Sequence, residues 1–168
     1  MTNSFFPEGF AATLNDAPKY FKATKNETIK VRIVSSEPEG GYIRWTSEGR
    51  PERWHMTADA PKGVQWQEDS KPKKFIAVVV WNYNLNCLQI WEITQRTIYD
   101  TLESLTSDPD FGHPNQYDLK VTRRGEGLET TYQVQAVHGE FPLDAQQALS
   151  EQKIDMKKLF VGEDPFEV

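Results

Sequence analysis

The sequence predicts an all-β domain with one or two short helices, arranged as a five-stranded antiparallel Greek-key barrel. Three observations lead to this prediction. Short segments of alternating apolar and polar residues recur along the chain, residues 73–95 contain the clearest hairpin signal, and one helical pattern separates that hairpin from another. One helix among five or six antiparallel strands is typical of small barrels.

Two short strands are expected at the start of the domain. Residues 28–35 alternate apolar and polar side chains, and residues 42–46 do the same after a Pro-Glu-Gly-Gly turn signal. We therefore predict that the two segments pair as a hairpin. Its polar face would interleave basic and aromatic side chains, namely Lys30, Arg32, Tyr42 and Arg44.

A long connection, residues 47–71, follows and is predicted to be a loop. Loops of this length in compact domains are usually functional or mobile. The segment contains Trp54 directly after Arg53 in a polar context. Exposure of a tryptophan ring to water is unfavourable unless the ring binds a ligand. Trp54 is therefore the aromatic residue that we expect first in a binding site.

The middle of the chain predicts the central hairpin. Residues 75–81 are apolar at both alternating sets of positions, so both faces of this strand should be covered. Residues 88–93 form the return strand after the Asn-rich corner at 82–86. Trp91 on the return strand, like Trp45 earlier in the chain, is more typical of a core residue than of a ligand contact.

A helix and a third hairpin complete the predicted domain. Residues 95–107 place apolar side chains at positions i, i+4 and i+7, as an amphipathic helix does. Residues 117–122 and 128–137 alternate around a glycine-containing turn, and residues 143–152 predict a short helix. The OB-fold fits this order best, and it binds oligonucleotides on one strand face and the adjoining loops.

Charge is unevenly distributed along the chain. The net charge is −6, but residues 19–53 carry eight basic residues against five glutamates, whereas residues 139–168 carry seven acidic residues against three lysines. We divide the chain into an N-terminal arm at 1–18, an OB-fold domain at 19–138, and a C-terminal helix with an acidic tail at 139–168. The tail is expected to be partly mobile.

The sequence carries no signature of an enzyme, a metal site or a cofactor. The three histidines have no ligand spacing among themselves or with Cys87, the single cysteine. Nucleophile and phosphate-loop motifs are missing, and the carboxylates are scattered. Neither a signal-peptide pattern nor a long apolar run is present, so we expect a soluble protein without membrane association.

Binding of single-stranded DNA is the function that the residue pattern favours. Cations follow the phosphates, and aromatic rings stack on bases at about 1–3 kcal/mol each. For any one residue the alternative is a solvated sheet face with half-buried rings. The candidate DNA-binding residues are Tyr42, Arg44, Arg50, Arg53, Trp54, Lys74, Trp81, Tyr83, Lys120, Arg123 and Tyr132.

The acidic tail has two possible roles in addition to that of an ordinary mobile end. It can bind partner proteins, or it can compete with nucleic acid for a basic groove, an effect that salt would weaken. The candidate residues are Glu163, Asp164, Phe166 and Glu167.

Two phrases in fixed order carry a resemblance to a known family. The chain resembles the single-stranded DNA-binding proteins of tailed bacteriophages, of the helix-destabilising type, in two segments: FIAVVVWNYNLNCLQIWEITQRTIYDTL and, after it, YDLKVTRRGEGLETTYQV. The likeness covers residues 19–137. It implies an OB-fold that coats single-stranded DNA in phage replication, recombination and repair, without catalysis, in the cytoplasm of the infected host cell.

The resemblance also implies an acidic C-terminal segment that contacts replication proteins of the phage or the host. The T-even type of this family carries a zinc site of Cys and His, and one cysteine is too few for it, so no zinc is expected here. Two other functions stay open: an OB-like module that binds proteins in a replication or virion complex, and a nuclease, which would need a metal-binding carboxylate cluster.

Overall fold

The computed structural model describes residues 18–35 and 37–167, so nearly all of the predicted N-terminal arm, at residues 1–17, lies outside the described residues. The described chain is mostly β, with a few short helices, as predicted. The strands are β1 (Thr28–Ile33), β2 (Glu39–Trp45), β3 (Pro51–His55), β4 (Lys73–Asn82), β5 (Cys87–Ile93), β6 (Asp118–Arg124) and β7 (Thr131–Val137). The α-helices are α1 (Arg96–Ser107) and α2 (Leu143–Glu151), and short 3-10 helices lie at Pro114–Gln116, Gly127–Glu129 and Met156–Val161.

All seven strands belong to one antiparallel sheet. The strand order is β3-β2-β4-β1-β6-β7, and β5 pairs with β4 outside this path. A closed five-stranded barrel is not confirmed, because no pairing joins β5 to β7 within the described residues. The central hairpin β4–β5 and the hairpin β6–β7 are both confirmed, with Val80 opposite Gln89 and Val121 opposite Val134.

The predicted pairing of the first two strands is wrong. β1 pairs with β4 and β6, and β2 pairs with β3 and β4. Ile33 lies opposite Val80, and Glu39 lies opposite Ala77, so β1 and β2 run one after the other along β4. With ten residues, β4 is long enough to pair with both strands. The Pro-Glu-Gly-Gly segment therefore lies at the junction of two strands that run in the same direction, and it does not form the predicted turn.

The single polar face predicted for this hairpin is divided between the two sides of the sheet. Arg32 lies opposite Trp81, whereas Tyr42 lies opposite Lys74. Residues with odd and even numbers on β4 point to opposite faces. Lys30 and Arg32 are therefore on one face, and Tyr42 and Arg44 are on the other.

The predicted loop at 47–71 contains a strand. β3 pairs with β2 along its whole length, with Trp54 opposite Tyr42. Its sequence, PERWH, is mostly polar and gives no apolar alternation, which is why the pattern missed it. The expectation that Trp54 is exposed is also wrong, since only 8% of its surface is accessible.

Both faces of β4 are covered, as its two apolar sets of positions predicted. Val78 and Val80 face the main core, which also contains Trp91. On the other face, Phe75 and Ala77 contact Leu159, while Val79 and Trp81 contact Ala145. The second cover comes from the C-terminal segment 139–167.

A buried polar network holds the start of the C-terminal segment. Arg32 donates hydrogen bonds to the carbonyl oxygens of Asn115 and Gly139, at 3.1 and 3.0 Å, and pairs with Asp118 at 3.6 Å. The Tyr83 hydroxyl donates to Asp118 at 2.5 Å. Burial, followed by this hydrogen bond, raises the pKa of Tyr83. Arg32 is 4% exposed, so it has a structural role and does not face solvent.

We expect Gly41→Ala to lower the free energy of unfolding by about 1–3 kcal/mol, because the added methyl group would overlap with atoms that already pack closely against the glycine. A Cβ atom at Gly41 would lie 2.3 Å from the Trp54 carbonyl oxygen and 2.7 Å from the Phe160 ring. Urea denaturation measures the loss. Gly40→Ala is the matched control, since its Cβ meets nothing nearer than Met56 at 3.7 Å. Equal stabilities of the two variants would contradict the packing described.

Candidate nucleic-acid interface

A cleft of about 520 Å³ lies between β5 and the β6–β7 hairpin, where the sheet is not joined. The β2–β3 ribbon and residues 20–23 form its other walls. We call it the main cleft. Residues 20–23 are held in place by backbone hydrogen bonds to β5, from the Phe21 amide to the Ile90 carbonyl at 2.8 Å and from the Ile90 amide to the Lys19 carbonyl at 2.9 Å.

Four aromatic side chains other than Phe21 line the main cleft, namely Tyr20, Trp45, Trp91 and Tyr132. Trp45 is 46% exposed, so its predicted place in the core is wrong. It is the last residue of β2, and the pairing of β2 with β4 ends two residues earlier, at Ile43. No β4 residue therefore lies opposite the indole. Trp91 is confirmed as a core residue, with 4% exposure and an edge contact to Phe21 at 5.2 Å.

Three cations line the same cleft, namely Lys22, Arg53 and Arg123, against the single carboxylate of Glu92. Arg53 and Glu92 form a two-contact ion pair, with Nε–Oε1 at 2.9 Å and an Nη2 hydrogen bond to Oε2 at 3.1 Å. Arg123 donates from Nη1 to the Ala23 carbonyl at 3.3 Å, and its buried Nε has no hydrogen-bond partner among the described residues. The cleft therefore has an excess of positive charge.

The structure separates the eleven residues that the sequence pattern selected. Arg53, Arg123 and Tyr132 line the main cleft. Trp81 is 4% exposed within an apolar cluster and offers no ring face to a ligand. Arg50 lies in an exposed turn, where it pairs with Glu48 at 2.7 Å.

Tyr42, Arg44, Trp54 and Lys74 lie on the opposite face of the β2–β3 ribbon, where Trp66 joins them. Tyr42 stacks on Trp54 at 5.8 Å, Trp54 contacts Trp66 at 5.9 Å, and the Arg44 guanidinium lies 4.8 Å from the Trp66 ring centre. We call this group the ribbon cluster. Its rings contact one another, so they have less free surface than Trp45.

Tyr83 and Lys120 lie apart from both groups. Lys120 projects from β6 on the side of the sheet away from the main core, and the Tyr83 ring lies beneath the Lys30 ammonium at 4.5 Å. The residue pattern missed Tyr20, Lys22 and Trp45 as cleft residues. The adjacent letters Tyr-Phe-Lys at 20–22 were a usable aromatic-basic signal, whereas the exposure of Trp45 depends on where β4 begins.

The acidic end of the chain borders the main cleft. Asp164 pairs with Lys19 at 2.5 Å, and the hydrogen bond from that ammonium group lowers the pKa of the Asp164 carboxyl. Phe166 packs against the apolar cluster around Leu159, whereas Glu163 and Glu167 are exposed. A second cleft, lined by Glu163 and Asp164, shares Tyr20 and Arg53 with the main cleft.

The described residues contain no group of three or more His, Cys, Asp or Glu side chains that could hold a metal ion. Among the helices described, none is long and apolar enough to cross a membrane. Comparison of the chain with models of protein families, with curated proteins and with solved structures found no match.

Proposed function

We propose that this protein binds single-stranded DNA in the main cleft, in a sequence-tolerant way and without catalysis. The observation that carries the proposal is the cleft itself, which brings together three rings that are at least partly accessible, Tyr20, Trp45 and Tyr132, and three cations. Rings stack on any base, and cations neutralise phosphates. On this proposal the protein coats and protects single strands during phage DNA replication, recombination and repair.

The strand order supports an OB-type assignment as part of the proposal. If β1 and β2 together count as one first strand, then β4 and β5 follow, α1 comes next, and β6 and β7 are the last two strands. The connection that contains β3 and the β6–β7 turn are then the two loops between which OB-folds bind oligonucleotides. The main cleft is bounded by the strands next to those loops.

The C-terminal end adds a proposed partner site. Glu163 and Glu167 are exposed at its surface, next to the anchored residues Asp164 and Phe166. We propose that this acidic edge contacts replication proteins of the phage or the host.

A salt-dependent titration with oligo(dT) tests the proposed function. Glu92 already neutralises Arg53, so two cleft cations, Lys22 and Arg123, are left to face phosphates, and we expect the logarithm of the affinity to fall with the logarithm of the salt concentration at a slope of about −1.4, at 0.7 per contact. Tryptophan fluorescence should be quenched on binding, because Trp45 is partly exposed in the cleft. Duplex DNA and RNA of equal length serve as comparisons.

An absence of both quenching and a gel-mobility shift at low salt would disprove the proposal. Binding of duplex DNA with equal affinity would also contradict it, since paired bases cannot stack on the cleft rings. Metal-dependent cleavage of the oligonucleotide would instead favour a nuclease.

A further inference from the structure

The β1–β6–β7 part of the sheet has an outer face on the side opposite the main core. The residues of this face alternate with the core residues Ile29, Val31, Leu119 and Val121. We define the outer face by Thr28, Lys30, Lys120, Thr122, Arg124, Thr131, Gln133 and Gln135.

Two like charges lie directly opposite each other on this face. Lys30 of β1 is the cross-strand partner of Lys120 of β6. Like charges in such positions destabilise a sheet. Lys30 is held at this position by the Tyr83 ring at 4.5 Å and by Asp118, whose carboxylate oxygen is 3.7 Å from its ammonium nitrogen. A bound anion would relieve the repulsion between the two lysines.

The strand residues that define the outer face include cations and no carboxylate, whereas the exposed carboxylates of Glu126 and Glu129 lie in the adjoining turn between β6 and β7. Arg124 follows Lys120 on the same side of β6. Within the described part of the chain, neither Lys120 nor Arg124 takes part in an ion pair. Asp118, which lies below the face, is 2% exposed and already pairs with Arg32. Such a surface is notable in a protein with a net charge of −6.

The β6–β7 hairpin separates this face from the main cleft. Arg123 lines the cleft, and its neighbour Arg124 points to the outer face. Likewise Tyr132 lines the cleft while Gln133 points outward. Because β7 is the last strand in the order of the sheet, a strand that leaves the cleft across the edge of β7 reaches the outer face directly.

We propose that the outer face is a second DNA-binding surface, which follows the phosphates of a single strand after it leaves the main cleft. The face offers charge and polar donors, such as Thr122 and Gln135, and the Tyr83 ring beside it is covered by Lys30. Such groups contact phosphate oxygens and do not stack on bases. The inference rests on the proposed function, because it concerns the path of the same strand.

The test is the double variant Lys120→Glu/Arg124→Glu, titrated with oligo(dT) of about 6 and about 30 nucleotides, since single OB-folds occupy about 4–16 nucleotides. We expect the affinity for the short oligonucleotide, which the main cleft holds, to change less than about twofold. The affinity for the long one should fall about tenfold or more at low salt, with a salt slope reduced by about 1.4, at 0.7 for each of two lost contacts. The matched control is Lys153→Glu/Lys157→Glu, the same change of charge at exposed positions of the C-terminal segment.

The outcomes separate the two proposals. If the unmodified protein binds neither oligonucleotide, the proposed function fails and the inference fails with it. If the short oligonucleotide binds normally but the double variant loses no affinity for the long one, or loses no more than the control does, the outer face is not part of the path. Equal losses for both lengths would also overturn the inference, because they indicate a general charge effect. Circular dichroism establishes that each variant is folded.

Discussion

Trp45→Ala is expected to weaken the binding of oligo(dT) by about 5- to 150-fold, which corresponds to the loss of one base stack of about 1–3 kcal/mol. The indole is the most exposed of the rings that line the main cleft, at 46%, and it lies at the end of β2, beyond the pairing with β4. The same exposure predicts a small change in the free energy of unfolding, about 0.5 kcal/mol or less. A fluorescence-anisotropy titration with labelled oligo(dT) measures the affinity.

Trp66→Ala is the control for this experiment. Trp66 belongs to the ribbon cluster on the other face of the β2–β3 ribbon, where it contacts Trp54 and Arg44. We expect this variant to retain the affinity for oligo(dT). The opposite result, in which Trp66→Ala weakens binding and Trp45→Ala does not, would place the DNA on the ribbon cluster, close to Tyr42 and Arg44.

Trp91→Ala is expected to lower the free energy of unfolding by about 3–5 kcal/mol, as the removal of a buried aromatic side chain does. The ring is 4% exposed, packs against Phe21 at 5.2 Å and lies opposite Val78 in the central hairpin. Its removal leaves a cavity in the main core. Chemical denaturation followed by circular dichroism gives the change, with Trp45→Ala as the matched exposed variant.

Equal losses of stability for Trp91→Ala and Trp45→Ala would show that core and cleft are wrongly assigned. Trp54→Ala extends the comparison. Trp54 is 8% exposed and stacks on Tyr42, so it should resemble Trp91→Ala in its effect on stability more than it resembles Trp45→Ala. On the sequence pattern alone, the opposite ranking of Trp54 and Trp45 was expected.

The candidate site shows how far residue types predict a binding surface. Arg53, Arg123 and Tyr132 were selected from the sequence and do line one cleft. Trp81 was selected by the same reasoning and is buried, because α2 of the C-terminal segment covers its face of β4. The covering segment lies about 60 residues further along the chain, and the residues around Trp81 do not indicate its presence.

Local patterns were sufficient for the central hairpin, α1, the β6–β7 hairpin and α2, since each is defined by the spacing of apolar residues within one short segment and by the turn residues beside it. Tertiary structure decided the rest. Whether β2 pairs with β1 or with β4, whether Trp45 or Trp54 is exposed, and whether residues 139–167 pack on β4 all depend on contacts between distant segments. Such contacts are selected by the free energy of burying whole faces of the sheet, and no single stretch of sequence contains that information.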